Sequence, residues 1–355
     1  MTLLAMLLSA AGAASGAPPV SSLSGERWRL DIHAERGTFD FLVQPRGEAR
    51  TVSVMRPQGE AAWYGYNEPT GERRTCDVKP VAFSRQGDSG PVTVRCVLDK
   101  ENGVTHAAAY YPLSDGVLVV SRFSAKRPPR DASIIRAAPK LDVDINLLTY
   151  YAFAGSDGRR HTGAIADLGA RATYAGAGAW GPGGDQTPGL GGDHPYMLLF
   201  NPQRAVSLGI VFPFYQAAWR NVHSFLQLWT GDYNFWYTGW LPPNALRSEQ
   251  AFVLYTKQSD SPEAIRADAE RLSQEATDRI ARGTIEAPTV KAMLAARQEF
   301  DREWPALWQE ASAEKPTPSA WLALLMLRSA KECVEREPAE AVRLIGRAKA
   351  ALAEE

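Results

Sequence analysis

The hydrophobic pattern of the chain changes once, near Ser259, and this change limits the folds that it can adopt. Before it, short runs of β-branched and aromatic residues alternate with turn clusters of Gly, Pro, Asp and Asn. Short runs at this spacing are typical of a β-sandwich. Helical patterns do not alternate with these runs, which argues against a parallel βαβ sheet.

Beyond Ser259 the pattern predicts helices. Ser261 is a typical N-cap, Pro262 suits the first helical position, and Gly283 is a typical stop signal. Three further helices are predicted, at about residues 289–307, 318–335 and 338–353, the last two as a helical hairpin. A small bundle that packs on the sandwich is the simplest interpretation, and no 34-residue repeat supports a tetratricopeptide array.

The predicted fold class is mostly β, a large antiparallel β-sandwich at residues 25–256 followed by a small α-helical C-terminal region at 259–355. The strand candidates include TVSVM (51–55), VTVRCVL (92–98), VLVVSRF (117–123), PYMLLF (195–200), VSLGIVF (206–212), FLQLW (225–229) and AFVLY (251–255).

Charge and hydropathy exclude two classes of partner. The chain has 39 basic and 40 acidic residues among 355, which gives no electrostatic reason to expect binding to nucleic acid. No segment after the N-terminus is long and apolar enough to predict a transmembrane span.

The N-terminus itself is a run of Leu, Ala and Met followed by small residues, which predicts a signal peptide at residues 1–17 and a secreted or periplasmic protein. An uncleaved apolar tail is the alternative, because no Lys or Arg precedes the apolar run.

Two of the three cysteines flank a predicted hairpin. Cys76 and Cys96 lie on either side of a Gly-Asp-Ser-Gly turn, a few residues out of register, so that a disulfide between them and two free thiols are both open. Cys333 lies in a predicted helix and is interpreted as a small apolar residue.

The most unusual segment holds eleven aromatic residues in the 29 positions from Phe212 to Trp240, interleaved with polar residues. An ordinary strand pair needs an apolar residue only at alternate positions, because successive side chains face opposite sides. One interpretation is a tryptophan-rich core, another is a protein-binding surface. The third is a saccharide site, in which aromatic faces stack on sugar C–H groups and polar side chains bind hydroxyls. The third predicts substrate binding by Trp229, Trp236, Tyr237 and Trp240.

A glycine-rich segment between Ala175 and Pro195 predicts a long binding loop or a mobile loop without a ligand. It holds Trp180, another predicted substrate contact, and ends in Asp193 and His194, whose carboxyl and imidazole groups suit general acid–base catalysis.

Polar residues beside the aromatic segment complete the predicted site. Arg220 and Asn221 are predicted to bind substrate, and Arg220 has a cation–π contact with a tryptophan as its alternative role. His223 and Asp232, with His194 and Asp193, are the catalytic candidates. An arginine, an asparagine and a histidine together suit neutralisation of a uronic acid carboxylate and abstraction of a proton.

No metal and no cofactor is predicted. The five histidines are scattered, and neither C-x-x-C nor H-E-x-x-H occurs. Alternating oxygens in LDVDIN (141–146) suit Ca²⁺, but the segment lacks the glycine turn and the closing glutamate of a calcium loop.

The strand pattern, the aromatic load and the order of the two regions resemble the galactose-mutarotase-like β-supersandwich of carbohydrate-active enzymes. The resemblance implies a carbohydrate partner, bound by a polysaccharide lyase or a glycoside hydrolase-like enzyme. The alternatives are a non-catalytic carbohydrate-binding or scaffold protein of the cell envelope, and a protein-interaction module that uses the helical region.

Overall fold

A computed structural model gives the fold of the chain. It describes residues 20–33, 37–45, 47–55, 62–68, 71–75, 79–87, 90–100, 102–126, 134–141, 143–154, 158–168, 172–175, 196–211, 225–229, 234–241, 247–256, 262–312, 317–334 and 338–353. The predicted signal peptide and Cys76 lie outside these residues.

Strands occupy the described residues as far as Tyr255. Their bounds are β1 Val20–Ser24, β2 Trp28–His33, β3 Thr38–Val43, β4 Val52–Ser53, β5 Ala62–Glu68, β6 Gly71–Thr75, β7 Lys79–Arg85, β8 Val92–Asp99, β9 Val104–Pro112, β10 Gly116–Ser124, β11 Ile134–Leu141, β12 Tyr150–Ala154, β13 Arg160–Ala164, β14 Ala172–Ala175, β15 Tyr196–Asn201, β16 Val206–Val211, β17 Phe225–Trp229, β18 Asn234–Leu241 and β19 Arg247–Tyr255. One 3₁₀ turn, Ile165–Leu168, follows β13.

The strands form three sheets in which every neighbouring pair is antiparallel. The spatial orders are β1-β2-β3-β4, β13-β12-β15-β16-β19-β10-β9-β8-β7 and β14-β17-β18-β11-β5-β6. The predicted antiparallel β-sandwich with a helical C-terminal region is therefore confirmed. The predicted hairpin around the Gly-Asp-Ser-Gly turn is the pair β7–β8, and Cys96 lies opposite Pro80 there.

The central strands of the nine-stranded sheet are buried on both faces. On its inner face, Val117 and Val119 of β10 join one core with residues of the four-stranded sheet such as Leu30 and Phe41. On its outer face, Leu118 and Val120 join a second core. Because successive residues of a strand point to opposite faces, a strand between two cores is apolar at almost every position.

The helices begin close to the predicted positions, as α1 Pro262–Ala281, α2 Pro288–Ala311, α3 Pro318–Cys333 and α4 Pro338–Ala353. Gly283 ends the first helical segment with a φ of +77°, a conformation that favours glycine. The Thr317 hydroxyl accepts the Ala320 N–H at 3.2 Å and caps α3. Helix α2 extends beyond its predicted end near Leu307, because Leu307 and Ala311 both belong to a third core formed with α3 and α4.

Helix α1 and the start of α2 cover the outer face of the nine-stranded sheet. Ala269, Leu272, Ala276 and Ile280 of α1, and Val290 of α2, belong to the second core. The Glu275 carboxylate accepts the Ser114 hydroxyl at 2.6 Å, which ties α1 to the β9–β10 turn.

A buried carboxylate fixes the start of α2. Glu249 of β19 accepts the Arg122 Nε–H at 2.7 Å and the N–H groups of Thr289 and Val290 at 3.0 and 3.1 Å. The residue before the helix, Ala287, makes no side-chain cap. A strand residue therefore supplies the cap that the helix lacks. Among the helices described, none is long and apolar enough to span a membrane.

Candidate functional site

Seven of the residues predicted for the site lie outside the described part of the chain. They are Trp180, Asp193, His194, Arg220, Asn221, His223 and Asp232. Their roles stay predictions from the sequence.

The remaining predicted residues lie on two adjacent strands of the six-stranded sheet. Trp229 ends β17, and Trp236, Tyr237 and Trp240 lie on β18. In this hairpin Trp229 is opposite Asn234, and Gln227 is opposite Trp236. The described part of the aromatic segment, β17 and β18, is therefore paired with neighbouring strands of the sheet.

Register assigns these positions to the two faces of the sheet. Leu141 of β11 is 1 % exposed, belongs to the inner core and is opposite Phe235 of β18. Directly opposite residues share a face, and successive residues alternate. Tyr237 therefore occupies a position on the core face with Phe235, whereas Trp236 and Trp240 occupy positions on the other face.

Two further tryptophan positions fall on that other face. Trp229 shares it, because its partner Asn234 is two residues from Trp236. Trp63 of β5 is opposite Ala138, which lies between Arg136 and Lys140, the partners of Trp240 and Trp236. We call the face defined by the positions of Trp63, Trp229, Trp236 and Trp240 the tryptophan face.

Trp63 was not among the residues predicted from the sequence. It lies about 150 residues before the aromatic segment, and the pairing of β5 with β11 brings it to the same face. The run AWYGYNE, in which aromatic residues occupy positions of both parities, was the available local signal.

Strand geometry gives the spacing of the positions on the tryptophan face. Trp236 and Trp240 are four residues apart on one strand, roughly 13 Å, and Trp63 is two strands away from β18, about 10 Å across the sheet. Polar positions lie among the tryptophans, namely Gln227, Asn234, Thr238 and Asn67. Aromatic and amide groups in this arrangement suit a ligand with apolar faces and polar edges.

A second polar group lies on the inner face of the nine-stranded sheet. His106 Nε2 and Ser121 Oγ are 2.7 Å apart, and the imidazole stacks on Phe123. Cys96 is directly opposite His106 on β8 and is a free thiol. Gln250, opposite Ser121 on β19, is 2 % exposed, and within the described residues neither atom of its amide has a hydrogen-bond partner.

Burial makes Cys96 and His106 unsuited to thiol catalysis. Burial lowers the pKa of His106 from 6.5 to about 3 and raises the pKa of Cys96 from 9.0 to about 11. At neutral pH the thiol is therefore protonated and the imidazole is neutral, whereas a cysteine nucleophile needs a thiolate. We interpret His106 and Ser121 as a buried cross-strand hydrogen bond that stabilises the sheet.

The Asp144 carboxylate of the LDVDIN segment has a structural role. The Asp144 carboxylate accepts the N–H groups of Asn146 and Leu147 at 3.0 and 3.3 Å and closes a turn. In the described residues, no cluster of three or more His, Cys, Asp or Glu side chains could hold a metal ion. The His33–Asp40 pair on the four-stranded sheet, at 2.8 Å, is a partly buried cross-strand contact.

No protein-family model matches the sequence, and neither does any curated protein. Galactose-mutarotase-like proteins are among the solved structures that are similar to the chain, as the sequence resemblance predicts. A galactose mutarotase related enzyme of Lactobacillus acidophilus is 9 % identical over 68 % of this chain and 99 % of its own, with a TM-score of 0.41. A galactose mutarotase-like protein of Lactobacillus casei is 11 % identical over 67 % and 100 %, with a TM-score of 0.35.

A larger protein is similar over part of its length. The alpha-N-acetylgalactosaminidase NagBb of Bifidobacterium bifidum is 11 % identical over 72 % of this chain and 39 % of its own, with a TM-score of 0.47. Similarity at these TM-scores carries no argument about the ligand or the activity of this chain.

Proposed function

We propose that the protein binds a saccharide on the tryptophan face of its six-stranded sheet. The observation that carries the proposal is the register, which assigns four tryptophan positions to the face opposite that of the buried Leu141. Tryptophans that belonged to the same core as Leu141 would lie on its face of the sheet.

The proposal also explains the composition of the two faces. On β17 and β18, the Leu141 face has Leu226, Leu228, Phe235 and Tyr237, an ordinary set for a core. Large aromatic residues on the opposite face reduce solubility unless a ligand or another part of the protein covers them. Their polar neighbours favour a ligand that needs hydrogen bonds as well as stacking.

The protein is, in this proposal, secreted or periplasmic, where polysaccharides are accessible. The support is the apolar N-terminal run followed by small residues. Polysaccharide lyase or glycoside hydrolase chemistry, with His194, His223, Asp193 and Asp232 as catalytic groups, is a finer proposal that rests on the sequence. If the protein is an enzyme of this class, substitution of each group should abolish turnover without loss of binding. A non-catalytic binding protein should show no turnover, and the same substitutions should leave its binding unchanged.

The test of binding compares the two faces of one strand. A glycan array on the purified chain identifies a ligand, and calorimetry measures its affinity for Trp236→Ala and Trp240→Ala, with Phe235→Ala as the control on the core face. Loss of one stacking contact should weaken binding by about 1–2 kcal/mol, roughly ten- to thirtyfold. Phe235→Ala should instead lower the free energy of unfolding by about 3–5 kcal/mol, as truncation of a core aromatic does.

The result that contradicts the proposal is equally specific. If no glycan binds the parent protein, and the two tryptophan variants lose as much stability as Phe235→Ala, the tryptophans are core residues and the protein has another function.

A further inference from the structure

We infer that the ligand of the tryptophan face is an anionic saccharide, one that carries carboxylate or sulfate groups. This inference rests on the proposed function, because it concerns the same face. It comes from the basic residues that the register places beside the tryptophans.

One row across the sheet combines an aromatic and two guanidinium-bearing residues. Trp240 of β18 is opposite Arg136 of β11, Arg136 is opposite Gly65 of β5, and Gly65 is opposite Arg74 of β6. All four positions therefore share the tryptophan face. The row reads Trp, Arg, Gly, Arg across four adjacent strands.

The position between the two arginines in this row is a glycine. The strands of Arg136 and Arg74 are two spacings apart, roughly 10 Å, and the residue between them has no side chain. Guanidinium groups bind carboxylate and sulfate-like oxyanions through paired N–H donors, so the row suits an acidic group of a sugar stacked on Trp240.

A second basic residue beside a tryptophan repeats this arrangement. Lys140 is opposite Trp236, four residues along β18 from Trp240. The two tryptophan–cation pairs are thus roughly 13 Å apart along the strands. A repeated pair along one direction suits a polymer with acidic groups at intervals better than it suits a single acidic monosaccharide.

The charges differ between the two faces of the sheet. In the described strands of this sheet, the tryptophan face has Arg74, Arg136 and Lys140, with Glu72 as its acidic residue. The core face has Arg73 and Glu68, whose opposite charges cancel. The basic excess therefore lies on the face with the four tryptophans, although the chain as a whole has a net charge of −1.

The experiment measures affinity for acidic polysaccharides and their neutral counterparts. The acidic probes are polygalacturonate, alginate, hyaluronan and dextran sulfate, and the neutral probes are methyl-esterified polygalacturonate and dextran. The parent protein should bind at least one acidic probe about tenfold or more tightly than the neutral probes at low salt. The difference should shrink in about 0.5 M NaCl, where exposed charges are screened. Preference for the carboxylate probes or for dextran sulfate identifies the acidic group.

Arg136→Gln and Lys140→Gln test the residues. Each should weaken binding to the acidic probe about tenfold and leave any binding to the neutral probes unchanged. The control is Arg328→Gln on α3, which removes the same charge at a side chain that is 74 % exposed and paired with Glu332 of its own helix. Arg328→Gln should not change the affinity. Circular dichroism shows whether each variant folds. If Arg136→Gln does not fold, Lys140→Gln provides the test of the basic residues.

The two hypotheses fail differently. Equal binding to acidic and neutral probes that depends on Trp236 and Trp240 overturns the anionic ligand and leaves the saccharide site intact. Equal weakening of both kinds of probe in Arg136→Gln, with lowered stability, overturns it too, because the arginine then has a cation–π role with Trp240. If neither these probes nor any glycan of the array binds, the proposed function fails, and this inference fails with it.

Discussion

Glu249→Ala should detach the start of α2 from the nine-stranded sheet. The carboxylate is 4 % exposed as a side chain and accepts hydrogen bonds from Arg122, Thr289 and Val290. Its removal leaves the first turn of α2 without a cap, since Ala287 makes no side-chain cap of its own.

The expected loss of unfolding free energy is about 3 kcal/mol. Removal of one partner of a buried ion pair costs about 3–5 kcal/mol, and loss of a helix N-cap costs about 1 kcal/mol. The sum is reduced here, because the Arg122 side chain is 28 % exposed and keeps contacts with Glu286. Glu249→Gln keeps an oxygen acceptor for the two N–H groups, so it should cost less, about 1–2 kcal/mol.

Urea unfolding followed by circular dichroism measures the loss. Hydrogen exchange at Thr289 and Val290 reports whether the helix start opens locally. Glu270→Ala is the control, because it removes an exposed carboxylate that pairs with Arg266 of the same helix at 2.7 Å, and should not change the midpoint measurably. The reasoning is refuted if Glu249→Ala unfolds at the same urea concentration as Glu270→Ala and exchange at the start of α2 is unchanged.

Two further predictions concern the buried His106 and the N-terminus. Because burial lowers the pKa of His106 from 6.5 to about 3, the unfolded state binds a proton that the folded state does not between these values. The free energy of unfolding should therefore fall by up to about 1.4 kcal/mol per pH unit as the pH decreases from 6.5. His106→Gln should reduce this slope in urea titrations between pH 6.5 and 5. An unchanged slope would contradict the lowered pKa of His106. The export proposal predicts that the protein from its native cell begins near Ala17 to Val20, and N-terminal sequencing that finds an intact Met1 in the cytosol would contradict it.

The helices were predictable because their signals are local. Proline at the first helical position, the Thr317 hydroxyl and Gly283 act within one turn, so that the predicted starts at 262, 318 and 338 coincide with those of α1, α3 and α4. The same holds for β17, whose five residues match the predicted run FLQLW.

Strand pairing was not predictable in the same way. The order that places β19 between β16 and β10 depends on contacts between residues far apart in the chain, and alternation along one strand does not reveal its neighbour. The fourth tryptophan of the face, Trp63, and the cap that Glu249 provides 40 residues before α2 were missed for this reason. The roles of the seven site residues outside the described part of the chain stay predictions.

Strand β10 lies between two cores, and this arrangement has a consequence for how the sheet selects its register. A one-residue slip would exchange Val117 and Val119 with Leu118 and Val120, and both sets are apolar, so hydrophobicity alone hardly distinguishes the two alignments. The next two residues do distinguish them. Ser121 meets His106 on one side and Arg122 meets Glu249 on the other, and a slip would bury the arginine in the inner core without its carboxylate. We expect these two polar contacts to set the register of the central strands during folding.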